Sequence, residues 1–287
     1  MNRRRFLGAC TCAFLPVSSE GNAVPLGCVI ANDAPVFDDP TLDLNEEVKE
    51  RHEIFLLCAA SITFVAWGIH KSNPADRAAY AEAYPGRSFR EYQGHNIGSL
   101  LVNGRNEIVC YERNLASMLN DSTQHAEARA VQHGIKALNA DRYREGNQTG
   151  GYSEMLQGYT VYTTLESCTQ CSGIMDLANI TRVVYLQDDC GQQKIGNVLF
   201  NLFKYQWPAG APEPVRGHFV TEFSELASAF AQYAIDSNTR SITSFLSSLK
   251  ACRLFERMHE RFNAYLVKSF PNKWVYEQAR EYAHTHL

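Results

Sequence analysis

The chain has 287 residues, 45% of them hydrophobic and 20% charged, and a formal net charge of −4. Such a chain can bury a substantial core, as one large domain or two small ones. The acidic balance weighs against a general, charge-driven nucleic-acid binder, though not against a local basic groove.

The N-terminus reads as an export signal. Arg3, Arg4 and Arg5 precede a short apolar run, Phe6 to Val17, and Gly21 and Ala23 are small residues before a cleavage point. The apolar run is too short to span a bilayer, and the Arg-Arg-Phe-Leu string resembles a twin-arginine signal. Residues 1–23 are therefore expected to be a signal peptide and the mature protein periplasmic or secreted, with cytoplasmic residence as the alternative. Its loss removes three arginines and Glu20 and leaves about −6. The seven remaining cysteines, Cys28, Cys58, Cys110, Cys168, Cys171, Cys190 and Cys252, are odd in number and widely spread. They do not form a small disulfide framework, and Cys58 and Cys110 lie in apolar runs where buried free thiols are expected.

Residues 24–45, rich in Pro, Asp and Asn, read as an irregular arm. From Glu46 to about Ile69, apolar residues at helical spacing (Ile54, Leu57, Cys58, Ser61, Ile62, Val65) predict a buried core helix, too interrupted to cross a membrane. Breakers at Asn73-Pro74 and Pro85-Gly86 make residues 70–95 a loop with room for one short helix. Ile97–Val102 and Glu107–Glu112 flank Asn103-Gly104 and predict a β-hairpin. A helix is expected over 124–139, with Ala128, Val131, Ile135 and Leu138 on one face, and a surface loop over 140–157. Tyr159–Leu165 reads as a strand, Cys168 to about Ala178 as a helix and Arg182–Gln187 as a second strand. That order implies a parallel pair with a right-handed crossover. A loop with Pro208, Pro212 and Pro214 follows, then amphipathic helices from Glu222 to Leu287.

Two short strings carry chemistry. Thr164–Cys171, TLESCTQC, places Cys168 and Cys171 three apart at a helix start, where both thiols share one face near the positive helix end. His125 stands at the start of another helix. One imidazole and two thiolates with an open fourth position are the donor set of a catalytic zinc site, whereas a structural site takes four protein ligands. Glu127, two residues after His125, is placed to move protons beside the metal without ligating it. Alone, the Cys-x-x-Cys also fits a redox pair or a disulfide. The pairing of His-x-Glu with a later Cys-x-x-Cys is the described zinc deaminase pattern.

The resemblance extends beyond the ligands. Asp121–Glu127, DSTQHAE, and Thr164–Cys168, TLESC, resemble the strings of guanine deaminases and tRNA adenosine deaminases, in the cytidine deaminase-like superfamily, and Ile180–Tyr185, ITRVVY, resembles the strand that follows there. The likeness covers about residues 95–200. It implies a three-layer α/β/α fold, an antiparallel hairpin plus parallel strands, here with an α-helical C-terminal extension. It implies zinc-dependent hydrolytic removal of an exocyclic amine from a nucleobase, nucleoside or nucleotide, with a purine favoured, and pairing as homodimers. It also implies that Asn114 contacts the base. Glu166, inside the matched string, and Asp188, after the last clear strand, are further expected substrate contacts, the latter because ligands gather at strand C-terminal ends. Ser122 and Ser167 stand where the relatives have proline; serine can cap a helix N-terminus instead, so the departures bear on loop shape and substrate more than on zinc.

The expected organisation is a signal peptide (1–23), an N-terminal arm and core helix (24–94), a zinc deaminase core (95–205) and a helical extension (206–287). Two other readings stand. Nucleic acid is the alternative partner, for an editor or secreted toxin, because the extension interleaves Lys250, Arg253, Arg257, Arg261, Lys268, Lys273 and Arg280 with Phe255, Phe262, Tyr265 and Trp274. A non-enzymatic, zinc-stabilised binding module is the other, and the intact Glu127 argues against it. His133 reads as a surface histidine, and His70 and His95 as residues able to border a pocket.

Overall fold

The computed structural model describes residues 43–70, 74–144, 156–194, 198–204 and 212–285. The expected signal peptide (residues 1–23), nearly all of the expected arm, Cys28, Pro208 and most of the expected 140–157 loop lie outside the described residues. No helix among those described is long and apolar enough to cross a membrane.

Helix α1 (Glu46–Val65) starts where Val48 N donates to the Asn45 side chain at 2.9 Å, with Glu46 and Glu47 complementing the positive helix end. Every side chain from Ile54 to Ala60 is fully buried, so α1 is covered on all sides, as its near-continuous apolar sequence demands. It ends earlier than the periodicity predicts. Gly68–Ile69 forms a short strand, β1, that pairs in parallel with β2 (Arg90–Glu91) across helix α2 (Pro74–Ala83).

The expected hairpin is β3 (Gly98–Val102) and β4 (Ile108–Arg113). Its left-handed residue is Asn106 (φ 64°), not Gly104. Asn103 shapes the turn through its own side chain, whose Oδ1 accepts from Arg105 N and Glu107 N. A short helix, α3 (Ala116–Leu119), leads to α4 (Ala126–Arg144). Next come β5 (Thr160–Thr163), α5 (Thr169–Leu177), β6 (Arg182–Tyr185), α6 (Cys190–Lys194) and α7 (Val198–Lys204). The expected loop around Pro214 contains a strand, β7 (Glu213–Arg216), parallel to β6. Glu213 N donates to Thr181 O, just before β6, and Gly217 N to Tyr185 O at its end, so the missing N–H of Pro214 falls on the side away from β6, where proline costs no ladder bond among the described residues. The chain finishes with α8 (Thr221–Asp236), α9 (Ile242–Phe245), α10 (Leu249–Asn263) and α11 (Phe270–Thr285).

The main sheet has the order β4-β3-β5-β6-β7, with β3 antiparallel to both neighbours and β5, β6 and β7 parallel. Alternation along the strands makes two cores. Leu101, Cys110, Val161 and Val183 face α4, α5 and α7. Leu100, Tyr162, Val184 and Val215 face α1, and the same core continues into α8, α9, α10 and α11. The architecture is therefore α/β/α with the C-terminal helices laid over α1 as a further layer. Cys58 and Cys110 are buried free thiols, as expected.

Part of the basic and aromatic set of the extension is engaged within the fold, while Trp274 and its neighbour Lys273 are exposed. Phe255 and Phe262 are buried, Arg261 pairs with Glu53 and Glu222, and Arg257 pairs with Glu225.

Candidate active site

The structure brings His125, Cys168 and Cys171 together at the N-terminal ends of α4 and α5. His125 Nδ1 lies 3.3 Å from Cys168 Sγ and 3.6 Å from Cys171 Sγ, and the two sulfurs are 3.5 Å apart. A tetrahedral zinc with ordinary Zn–S and Zn–N bonds needs N···S and S···S edges of about 3.6 and 3.8 Å. The donors are thus spaced as zinc would space them, and their chemistry, one imidazole and two sulfurs, suits it.

Local sequence explains the placement. The turn before α4 is tied by Asp121, whose carboxylate accepts from Thr123 N (2.8 Å), Thr123 Oγ1 (2.7 Å) and Gln124 Nε2 (2.9 Å). Gln170 Nε2 donates to Thr123 O at 2.9 Å and so binds the start of α5 to the turn that presents His125. Arg129 holds α4 against the sheet through Glu112 and reaches Gln124 Oε1. The expected cap by Ser167 is not made. Cys168 itself is the N-cap residue of α5 and makes no side-chain cap bond, while Ser167 Oγ is buried among the described residues without a hydrogen-bond partner.

The electrostatics follow from the crowding. A hydrogen bond from Cys171, with His125 close by, holds the Cys168 thiol down at about 4, in the thiolate form. Cys171 is pushed up by the neighbouring Cys168 and by burial; a dication at the shared position favours both thiolates and reverses that logic. Glu127 lies in the first turn of α4, only 4% exposed, with Oε2 at 3.6 Å from Cys171 Sγ. Burial, then the charge of Cys168, raises its carboxyl to about 7, the range in which a group both takes and returns a proton at neutral pH.

Asn114 is buried where β4 gives way to α3, and its Oδ1 accepts from Ala116 N at 3.0 Å. That bond fixes the amide so that its nitrogen is the end left to donate. Gly94 lies against it: a Cβ at position 94 would stand 2.3 Å from Asn114 Oδ1 and 2.5 Å from Asn114 O. Glu166 and Asp188 are engaged with the protein itself. Glu166 is buried and accepts from Asp189 N at 2.9 Å, and Asp188 pairs with Arg216 at 3.1 Å. Burial raises the Glu166 carboxyl to about 8. His133 is exposed and meets Glu112. The His95 ring is held by Tyr92 at 2.7 Å and borders a small cavity with Thr63, Tyr111 and Arg113, a contact no spacing rule signals. Gly94, Gln170 and Arg129 also went unsignalled, because each acts through a partner distant in sequence.

Residues 75–187 match the model of the cytidine and deoxycytidylate deaminase zinc-binding region. The chain is similar to the tRNA-specific adenosine deaminase of Haemophilus influenzae, 31% identical over 47% of this chain and 70% of that one. It is also similar to the enzyme of the same name from Agrobacterium fabrum, 31% identical over 50% of this chain and 85% of that one. A guanine deaminase of known structure from Bacillus subtilis is 20% identical, with a TM-score of 0.29 over 56% of this chain and 90% of that one, too distant to add weight. Matched by family, by relatives and by a His/Cys/Cys cluster fit for the metal, the chain belongs to the zinc-binding cytidine and deoxycytidylate deaminase family and is a zinc-dependent hydrolytic deaminase.

Proposed function

We propose that this deaminase acts on a purine base, free or as a nucleoside or nucleotide, and that His125, Cys168, Cys171, Glu127 and Asn114 form its working site. The purine is favoured by the adenosine deaminases among its relatives and by the DSTQHAE and TLESC strings. The observation that carries the reading is the three-donor cluster with a buried carboxylate 3.6 Å from one of its sulfurs.

When bound, zinc supplies a water of near-neutral pKa and polarises it for attack. Asn114 donates to the base and holds the amine-bearing carbon in line. Glu127 takes a proton from the attacking water as its oxygen bonds to that carbon, and returns it to the adjacent ring nitrogen. It then passes the second proton to the amine as the C–N bond breaks and ammonia leaves, so one water is consumed per ammonia released. Burial of Glu127 keeps that proton from bulk solvent between the two transfers.

Small substrates are favoured over RNA by the net charge of −4, by the burial of Phe255 and Phe262 and by the ion pairs of Arg257 and Arg261, in an extension whose Trp274 stays exposed. The test is ammonia release across bases, nucleosides, nucleotides and a single-stranded oligonucleotide. Glu127→Ala retains about one zinc per chain and loses turnover by at least about 100-fold. Full turnover in that variant would remove Glu127 from the mechanism.

A further inference from the structure

The corner between α10 and α11 displays apolar side chains on a firm frame. Residues 265–269 join the two helices, and through them to Phe270 the chain alternates between packed and exposed positions, as a strand would. Tyr265 and Val267 turn inward against the core, and Leu266, Lys268 and Phe270 turn outward. Leu266 is 84% exposed and Phe270 88%, and Trp274, one turn after Phe270 on the same helix face, is 49% exposed. The backbone beneath them is tied down. Tyr265 Oη donates to Glu53 at 2.5 Å, Lys268 N and Ser269 N donate to Glu50 at 2.6 and 3.0 Å, and Asn272 Nδ2 donates to Glu47 O at 2.8 Å. Helix α11 has its own inward stripe, Asn272, Val275, Tyr276, Ala279 and Ala283, so Phe270 and Trp274 are not core residues that lack a core.

The patch is basic within an acidic chain. Residues 266–274 carry Lys268 and Lys273 and no carboxylate side chain. Both lysines are exposed and neither is in an ion pair among the described residues. Glu46, whose carboxylate feels Lys268, is paired with Lys49 at 2.8 Å. Exposed Glu47 and Glu277 lie at the margins, so the local attraction for an anion is modest and apolar contact carries the larger share.

We propose that this corner is a docking surface for an anionic lipid bilayer. Leu266 and Phe270 enter the boundary between headgroups and acyl chains, Trp274 lies at headgroup level, and Lys268 and Lys273 meet lipid phosphates. Contact is with the surface alone, since no described helix is long and apolar enough to cross a membrane. A second copy of the chain fits less well, because three side chains offer roughly 400 Å², about half of what each partner gives to a stable dimer. A nucleic-acid strand fits less well because it stacks on aromatic faces, and Leu266 has none. The corner belongs to the layer over α1, on the sheet face opposite α4 and α5, so docking leaves the zinc donors turned away from the lipid.

The test uses the full zinc-loaded chain and vesicles of phosphatidylcholine, alone or in equal parts with phosphatidylglycerol. Binding is read by co-sedimentation and by tryptophan emission. The chain binds the mixed vesicles about tenfold more tightly than the neutral ones. Leu266→Ala and Phe270→Ala each weaken that binding by about tenfold, and Lys268→Gln with Lys273→Gln brings the mixed vesicles to the neutral level. Emission moves to shorter wavelength on binding, and Trp274→Phe removes the shift. All these positions are exposed, so the variants keep wild-type zinc content, melting temperature and ammonia release, which separates a lost surface from a lost fold. Failure to bind either vesicle, or binding unchanged in the Leu266→Ala, Phe270→Ala double variant, overturns the proposal and leaves the deaminase reading standing. So does a dimer, or a complex with a single-stranded oligonucleotide, that forms without lipid and is lost in that double variant.

Discussion

His52 makes stability depend on pH in a calculable way. It lies in α1, buried against Tyr162 and Phe219, with Nδ1 at 2.8 Å from Tyr162 Oη and with Nε2 buried without a hydrogen-bond partner. Burial, with the nearby charges of Arg182 and Arg51, lowers its pKa from 6.5 to about 3. The unfolded chain therefore binds a proton at this residue below pH 6.5 that the folded chain refuses until about pH 3. Between those values the unfolded state holds more protons, so stability rises with pH, is fully present above 6.5 and is lost as pH falls. At pH 5 the unfolded state gains about 2 kcal/mol from this one group, by linkage at about 1.36 kcal/mol per pH unit. Urea unfolding at pH 7.5 and pH 5 measures it. His52→Gln removes the titrating group and shrinks the difference between the two pH values by about 2 kcal/mol, whatever it does to stability at pH 7.5. An unchanged difference in that variant would show that His52 is solvated or charged in the folded state and refute the argument.

Three further outcomes are expected. Gly94→Ala places a methyl 2.3–2.8 Å from Asn114 atoms that include its backbone, so Asn114 must retreat by roughly 1 Å. A misplacement of that size costs about 100-fold in kcat/KM, and steady-state ammonia release reads it, with Asn114→Ala as the comparison. Cys171→Ser removes one of three donors, so the purified protein holds well under one zinc per chain by atomic absorption. A chelator strips the wild type and lowers its melting temperature, because bound metal stabilises the folded state. Phe255→Ala empties a fully buried site beside Trp67, ring centroids 5.2 Å apart, and costs about 3–5 kcal/mol in urea unfolding while leaving zinc content intact.

Much of the site was legible because its chemistry is written in short, rigid spacings. Cys-x-x-Cys at a helix start and His-x-Glu at another fix ligand geometry within one turn each, and the strand between them fixes their distance. The hairpin was legible for the same local reason, although the turn took its left-handed residue at Asn106 rather than Gly104. Strand β7 was not. Four residues, EPVR, hold too little alternation to signal a strand, and Pro214 argues against one until the strand is known to lie at an edge. The Ser167 cap failed because the helix begins one residue later than the serine needs; the backbone of Cys168 already occupies the N-cap position. The aromatic and basic residues of the extension divide between core and surface, with Phe255 and Phe262 inside and Trp274 outside, because sequence cannot tell which side of a helix lies inward. In α10 the inward stripe holds Phe255, Met258 and Phe262, and Arg261 reaches back to carboxylates on α1 and α8.

The extension matters to the catalytic half through α1. A deaminase sheet needs helix cover on the face opposite the zinc donors, and α1 supplies it with side chains that leave no polar outer face at its centre. Left bare, that outer side would be an exposed apolar stripe. Helices α10 and α11 cover it, and they are registered by polar contacts rather than by apolar packing alone. Glu50, buried in α1, accepts from Lys268 N, Ser269 N and Asn272 Nδ2 at 2.6–3.0 Å, so a carboxylate of α1 meets the N-terminal end of α11. Glu53, one turn on, takes Arg261 and the Tyr265 hydroxyl. Both glutamates look like ordinary solvent-facing helix charges in the sequence, and both specify which way the extension docks. The opposite sheet face is thereby held fixed beneath Tyr162 and Leu100, whose strands β5 and β3 frame Thr163 and Ser99 on the side of α4 and α5, the helices that present the zinc donors. Loosening α11 from Glu50 would therefore reach the site as a change in sheet position before it reached any ligand.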